Sequence, residues 1–386
     1  MIRVFTVLLA VVVATAALAG TPTQYYVDPA IAGNSGAGTT GDPYGDLQHA
    51  LDTVTRDATN GDQINVKAGT DEVLAAALSL ATYGTPTEAA PLIIRGYTSA
   101  ANDGGVGGIS GNATYAIIAS TAHIHFIDMH LHNCGSATIV TISTSGSLQN
   151  CEIDTTTGIA VDLSTATIIG CNVHTFGTTG IDGNLSFIYG NYVSDASATV
   201  GILGGGSSTK IINNIITIGG ATDGIQLGFD ANIAIGNSIL SSGGSGQGII
   251  RTSNRYGAII LNNLVEGFSD TGGVGIDLGS NTENVAAYGL NAVRNCATAY
   301  STGSADFVND LGDNETLGAT PFAKSGSDTF ANRFTYFAPE DTGNVRGGAF
   351  PTGDNQDKGA VQHADSGGGT TAKTISSTLH AIGSGL

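Results

Sequence analysis

The chain contains no tryptophan, two methionines and eight prolines among its 386 residues, and only 13 lysines and arginines. Each shortage excludes something. Without Trp there is no indole on which a sugar ring could stack, so that role falls to tyrosines such as Tyr189, Tyr192 and Tyr256. Lys, Arg and Glu are strong helix formers, and their scarcity argues against a helical solenoid. The 13 cations stand against 32 acidic residues, for a formal net charge of −19. Phosphate contacts need a basic footprint, so nucleic acid is not an expected partner. After the first twenty residues no apolar run approaches the ~20 residues needed to span a bilayer, so no membrane span is expected once a leader is removed.

What is present is small and turn-forming. Glycine numbers 57 without the every-third spacing of collagen, and apolar residues make up 41%. With abundant Ser, Thr, Asn and Asp, this is the composition of many short strands joined by tight turns. Residues 1–19 read as a secretory signal: Arg3 starts it, Val4 to Ala17 is apolar, and Ala17-Leu18-Ala19 is a small-x-small cleavage site before Gly20. The mature chain is therefore expected outside the cell or on its surface. An acidic exported surface can also collect divalent cations such as Ca²⁺.

A periodic phrase organises the middle of the chain. An Asn or Cys flanked by apolar residues recurs at Cys151, Cys171, Asn191, Asn214, Asn237 and Asn263, with weaker copies at Cys134 and Asn291. The steps from Cys134 to Asn291 are 17, 20, 20, 23, 23, 26 and 28 residues. A Gly-Ile phrase keeps pace, from Gly158-Ile159 through Gly180, Gly201, Gly224 and Gly248 to Gly275-Ile276. Two phrases in phase at about 22 residues predict an all-β solenoid with one coil per repeat. The Asn rungs are expected to bond from coil to coil, and Cys134, Cys151 and Cys171 to form a reduced, inward stack. One bridge between neighbouring cysteine rungs stays open, and Cys296 has no evident partner. Within Gly158 to Leu163, alternation points Ile159, Val161 and Leu163 inward and Ala160 and Asp162 outward.

The expected organisation is a signal at 1–19, an entry cap at 20–75, coils at 76–310, an exit cap at 311–365 and a Gly/Ser/Thr-rich tail at 366–386. In the entry cap, Leu47, Ala50, Leu51 and Val54 have helical spacing with Asp46 as N-cap. In the exit cap, Phe322, Phe330, Phe334, Phe337 and Phe350 are expected to cover the last coil.

The run YVDP…GNSGAGTTGDPYGDLQHALDTV…NGDQINVKAGT, with APLIIRG at 90–96 and DKGAVQ at 357–362, resembles secreted pectate-lyase-like proteins. Tyr44 stands for that pattern's usual Phe, and Thr70-Asp71 departs from its Gly-x-Tyr ending. The resemblance covers about residues 24 to 365. It implies a single-stranded right-handed parallel β-helix with a short N-terminal capping helix and a C-terminal cap. It implies little about chemistry, because such folds serve lyases, hydrolases, epimerases, phage spikes and non-enzymes.

Candidate site residues fall into three groups. His123-Ile-His125-Phe-Ile-Asp128-Met-His130-Leu-His132 places His123 and His125 on one strand face with Asp128 nearby, a metal-ligand spacing. A solvated polar strand face is the plain alternative, and His130 and His132 are expected to point outward too. Arg251 and Arg255 are candidate catalytic groups for a polysaccharide lyase, which needs a base and a cation for the uronate. Two surface arginines in a loop would look the same. Arg251 replaces an inward Leu of neighbouring coils, so an early strand end or a bulge is expected there. Asp162 and Asp182, with Tyr256, are candidate substrate-binding groups, suited to Ca²⁺ or a glycoside hydrolase. Finally, Ile168, Ile188, Ile211, Ala234 and Ile260, each three residues before a rung, are expected to form an exposed stripe for a homo-oligomer, or for the chain's own loops or tail. The reading that joins these features is a secreted or surface protein engaging a polysaccharide or cell-surface glycan. A structural or adhesive appendage subunit and a polysaccharide lyase are the alternatives.

Overall fold

The computed structural model describes residues 20–337 apart from 221, 253–256, 280–284, 302–307, 313, 319–321, 323 and 325–328, together with the strand pair 361–362 and 373–374. Three parallel sheets wind into one solenoid. Sheet one has twelve strands, from Thr23–Val27 to Val308–Asp310; sheet two has eleven, from Glu72–Val73 to Glu315–Thr316; sheet three has nine, from Ile118–Ala122 to Thr298–Ser301. One coil runs through Ser147–Gln149, Glu152–Thr156 and Ile159–Ser164, and the next through Thr167–Ile169, Asn172–His174 and Thr179–Asn184. The result is a right-handed parallel β-helix, the hand that parallel crossovers take. Among the described residues no helix is long and apolar enough to cross a membrane.

The corner between sheets one and two explains the Asn phrase. The residue before each rung is left-handed: Gly170 (φ 66°), Gly190 (65°), Asn213 (55°), Gly236 (66°), Asn262 (56°) and Leu290 (59°). Glycine and asparagine tolerate that region best, which is why they dominate the position. The rung itself is not the left-handed residue; its side chain turns inward. Asn191 N and Nδ2 donate to Asn214 Oδ1, both at 3.0 Å, and Asn191 Nδ2 also donates to the Ile168 carbonyl at 3.2 Å. The same set repeats through Asn214, Asn237, Asn263 and Asn291, ending on Asn314, one rung beyond those read from the sequence. Buried amides would be costly alone, and here each is satisfied by its neighbours.

The left-handed corner also resets strand parity, and this overturns the exposed stripe. Ile168, Ile188, Ile211, Ala234 and Ile260 are stacked in register and fully buried in the core. In an unbroken strand a residue three before an inward rung would face out. One αL residue between them turns it inward. The apolar line is core, and the surface that motivated a homo-oligomer does not exist.

Register corrects three further details. Glu152 pairs with His130 and Ile153 with Leu131, so the rung above Cys151 is Met129, preceded by left-handed Asp128. Cys134 lies five residues further on and is not part of the ladder. Cys151 and Cys171 do stack: the Cys151 N–H donates to Cys171 Sγ at 3.4 Å, and the Cys171 N–H donates to Asn191 Oδ1 at 2.9 Å. All four cysteines are free thiols. The Gly158-Ile159 phrase runs two residues early: Ile159 pairs with Thr179 and Val161 with Ile181. Ile159 is half-buried and Ala160 fully buried, reversing the alternation expected there. The strand enters from a corner where position 160 faces the core, as at Gly180, where a Cβ would strike Phe176 and Val193.

The entry cap follows the sequence pattern. Helix Leu47–Thr53 buries Leu47, Ala50 and Leu51, and Asp46 Oδ1 caps it by accepting from His49 N at 2.6 Å. Glu72, 6% exposed, accepts from Leu47 N at 3.3 Å, and burial pushes its carboxyl up to about 7. The exit segment departs from expectation. Phe322 and Phe337 pack with Leu317, Phe330 and Tyr336 against Tyr192, Ile215, Leu264 and Ala292. Those four residues, with Ser238 between Ile215 and Leu264, form one outward column of sheet two, so the aromatics cover the flank of several coils and not only the end of the last one. Phe350 and the residues from 375 lie outside the described residues.

Candidate functional site

The outer face of sheet two carries two columns of side chains, one residue and three residues after each rung. In the first coils one column reads His130, Glu152, Asn172 and the other His132, Asp154, His174. Between them Leu131, Ile153 and Val173 point into the core and are fully buried, which fixes the strands beneath the polar groups. Asp71 joins from the turn before Glu72–Val73.

These groups form imidazole–carboxylate pairs across coils. His130 Nε2 lies 3.4 Å from Asp154 Oδ1, His132 Nε2 lies 3.1 Å from Asp71 Oδ2, and His174 Nε2 lies 3.0 Å from Glu152 Oε1 and 3.6 Å from Asp154 Oδ2. The rings of His130 and His132 stack at 4.2 Å and 10°. The hydrogen bond to Asp154 raises the His130 imidazole. Burial pushes the Asp154 carboxyl up, but the hydrogen bond and charge of His130, with His174, outweigh it and hold the group below its usual range. Asn172 Nδ2 donates to Glu152 Oε1 at 3.3 Å, while its buried Oδ1 has no partner among the described residues. The arrangement offers acid, base and metal-ligand chemistry on one rigid face.

Of the expected metal group, His123 and His125 are neighbours at the start of one sheet-one strand, and Asp128 is the left-handed corner at its far end. Asp128 Oδ2 accepts from Arg95 Nη2 at 2.9 Å, and His125 Nδ1 lies 2.8 Å from Ser147 Oγ. Burial, with the charge of His123, lowers the His125 imidazole to about 4. The three are not drawn together. Among the described residues, potential ligand atoms within 4.8 Å of one another occur in Asp71–His130–His132 and in His130–Glu152–Asp154.

Asp162 and Asp182 do meet. They pair in register on adjacent strands of sheet three, in an outward column that starts from Thr141 and continues as Leu203, Gln226, Ile250 and Asp277. Burial and then the charge of Asp162 push the Asp182 carboxyl up to about 6. The Asp182 carboxylate lies against the Gly205 backbone, where any Cβ would collide with Oδ1.

Arg251 keeps strand register with Leu227, with no bulge, and is 4% exposed. It is a buried strand residue and not a loop residue. Arg255 and Tyr256 lie outside the described residues. The groups that sequence reasoning missed are Asp71, Glu152, Asp154, Asn172 and His174. Their signal was available: each of the last four stands one or three places after a rung, as His130 and His132 do after Met129.

No protein-family model matches the chain, and no curated protein matches it. Among solved structures it is similar to pectate lyase Pel9A (12% identity, TM-score 0.49, covering 90% of this chain and 97% of that one). It is also similar to ORF18 of Geobacillus virus E2 (11%, TM-score 0.43, 76% of this chain and 61% of that one). A third is XylC in complex with xylose (9%, TM-score 0.41, 79% and 88%). With three parallel sheets, an inward Asn ladder and a short helix in the entry cap, the chain is a right-handed parallel β-helix.

Proposed function

We propose that the chain is an exported protein that engages a polysaccharide along the polar outer face of sheet two. One observation carries the reading. Among the described residues, the chain covers the apolar half of that face with its own aromatic segment and does not lay that segment over the half bearing His130, His132, Glu152, Asp154, Asn172 and His174. Fixed imidazoles, carboxylates and an amide are the groups that bind sugar hydroxyls, and a polymer laid along the axis meets the same two columns at each coil, about 4.8 Å apart. The net charge of −19 favours a neutral glycan over a polyuronate, unless a cation bridges the two. Gel retardation against a panel of neutral and acidic polysaccharides tests this. A retarded wild-type chain and an unretarded Glu152→Ala/His174→Ala variant are expected. Retardation by no polymer, or equally by the variant, overturns it.

A second reading, glycoside hydrolysis, rests on Asp162 and Asp182. Carboxylates in register on adjacent strands stand about 5 Å apart, near the separation used in retaining hydrolysis. The raised Asp182 carboxyl suits a general acid. Reducing ends released by the wild-type chain and lost in Asp182→Asn would support it; none released on any polymer removes it. The lyase alternative loses Arg251 to burial and rests on Arg255. The appendage alternative loses the stripe that motivated it.

A further inference from the structure

We propose that Asp71, His130 and His132 hold one divalent transition-metal ion of the zinc class, with Asp154 orienting His130 from outside. The inference deepens the sheet-two reading by supplying a cation to an acidic face; metal binding itself can be measured without any glycan.

The geometry carries it in three steps. First, the ligand atoms of these residues lie within 4.8 Å of one another. Donors on one zinc ion sit about 2.0–2.2 Å from it, so small side-chain rotations close the set. Second, the site is rigid. His130 and His132 stand two residues apart on one strand, held between Gly107–Ser110 and Glu152–Thr156, with their rings already stacked.

Third, a space is left for the carboxylate. Gly108 pairs with His130 on the neighbouring strand, and a Cβ there would collide with Asp71 Oδ1. Asp71 reaches His132 through the volume that any other residue at 108 would fill. A polar surface at random has no need of that gap.

The chemistry selects the ion. Two imidazoles and one carboxylate suit zinc and its neighbours, whereas Ca²⁺ and Mg²⁺ take oxygen ligands. Asp154 lies beside His130 Nε2, so the ion is assigned to His130 Nδ1, and Asp154 is the carboxylate that fixes the ring through its other nitrogen. The overlapping group His130–Glu152–Asp154 shares His130, so one ion is expected, and that group offers only one nitrogen. A bound cation would let an acidic face coordinate a sugar hydroxyl or carboxylate.

The test is calorimetric titration of the full chain with Zn²⁺, with Ca²⁺ as comparison, and visible spectra with Co²⁺. One equivalent of Zn²⁺ and no Ca²⁺ heat are expected. Asp71→Asn, His132→Ala and Gly108→Val should each weaken Zn²⁺ at least tenfold, and Asp154→Asn roughly tenfold. Glu152→Gln and His125→Ala should leave the affinity unchanged. Asp71 is an exposed turn residue, so its variant should melt like the wild type. No Zn²⁺ heat overturns the proposal. So does loss of binding in Glu152→Gln with binding kept in His132→Ala and Asp71→Asn. Zinc binding without glycan retardation would leave the metal site standing and the glycan reading lost; the converse would separate them the other way.

Discussion

The two ends of sheet two are built inside out relative to one another. In the early coils the rungs Met129, Cys151 and Cys171 are apolar, and the residues that follow them outward, His130, Glu152 and Asn172, are polar. From the next coil the assignment reverses. The rungs Asn191, Asn214, Asn237, Asn263 and Asn291 are polar and buried, and of the outward residues that follow them Tyr192, Ile215, Leu264 and Ala292 are apolar and lie under the exit segment, with buried Ser238 the one polar member. Both changes occur in one step, from Cys171-Asn172 to Asn191-Tyr192. The backbone is the same on either side, so side-chain type alone decides whether a coil presents a site or a docking face. The polar rungs can be buried because they satisfy one another in series, and the apolar flank can exist because the chain supplies its own cover.

The strongest way to break the comparison is to remove the cover. Phe337 is 1% exposed within the exit cluster, and Phe337→Ala should cost the docked segment about 3–5 kcal/mol. The solenoid should survive, because coils contact mainly their neighbours. Limited proteolysis is expected to cleave the segment from 317 onward while the sheet circular dichroism persists; simultaneous loss of both would show that the two halves are not separable.

Next in size is the ladder. Asn237 Oδ1 accepts from Asn214 N and Nδ2, and its own Nδ2 donates to the Ile211 carbonyl and to Asn263 Oδ1. Asn237→Ala strands several of these groups and should cost roughly 1–3 kcal/mol in urea unfolding. An unchanged midpoint would mean that the polar rungs contribute nothing the apolar ones lack.

Sheet three supplies a control away from both halves. The Asp182 carboxyl is raised to about 6 in the folded chain. Between roughly pH 4 and 6 the folded state keeps a proton that the unfolded chain has lost, so stability falls as pH rises and the full cost is present above 6. Asp182→Asn should therefore stabilise the protein at pH 7, by about 1 kcal/mol after allowance for solvent screening, and do nothing near pH 4. Equal melting shifts at both pH values would contradict the charged pair.

The smallest expected effect is the sharpest. Cys171→Asn should extend the ladder by one rung at a change of about 1 kcal/mol or less, because Asn191 Oδ1 already accepts from the Cys171 N–H. Asn191→Cys should be clearly worse, since it leaves the Ile168 carbonyl without its amide donor. If both cost the same, the boundary between the halves is not set by the rungs.

The solenoid and its coil length were legible in the sequence because they depend on one residue type repeated at one position, and the entry helix because its apolar spacing and its Asp46 cap are local signals. The parity of the neighbouring positions was not. The left-handed corners at Gly170, Gly190, Asn213, Gly236 and Asn262 turned an expected surface stripe into core, and at Leu290 and Asp128 the same conformation occurs with no residue type to signal it. The Met129 rung was missed for a related reason: it shares its place with Asn and Cys but not their chemistry. That miss hid the alignment of His130 with Glu152 and of His132 with Asp154, residues 22 apart. His130 and His132 were correctly placed outward; their acidic partners needed the register. The exit segment carries no repeat, so nothing in its sequence indicated which flank it covers.

The Asn ladder has a direction, and that bears on how such a chain can change length. Between rungs, each Asn side chain donates to the next Asn on the C-terminal side and accepts from the one on the N-terminal side. A 23-residue unit such as 214–236, if duplicated in tandem, would present the same donor and the same acceptor at both new junctions. Coils can therefore be gained or lost within the Asn region without leaving a buried amide unmatched. Copying the Cys171 coil into that region would set a weak sulfur acceptor against two amide donors. Lengthening by duplication of Asn coils thus adds length on the covered side, C-terminal to the histidines, and leaves the site's distance from the entry cap unchanged.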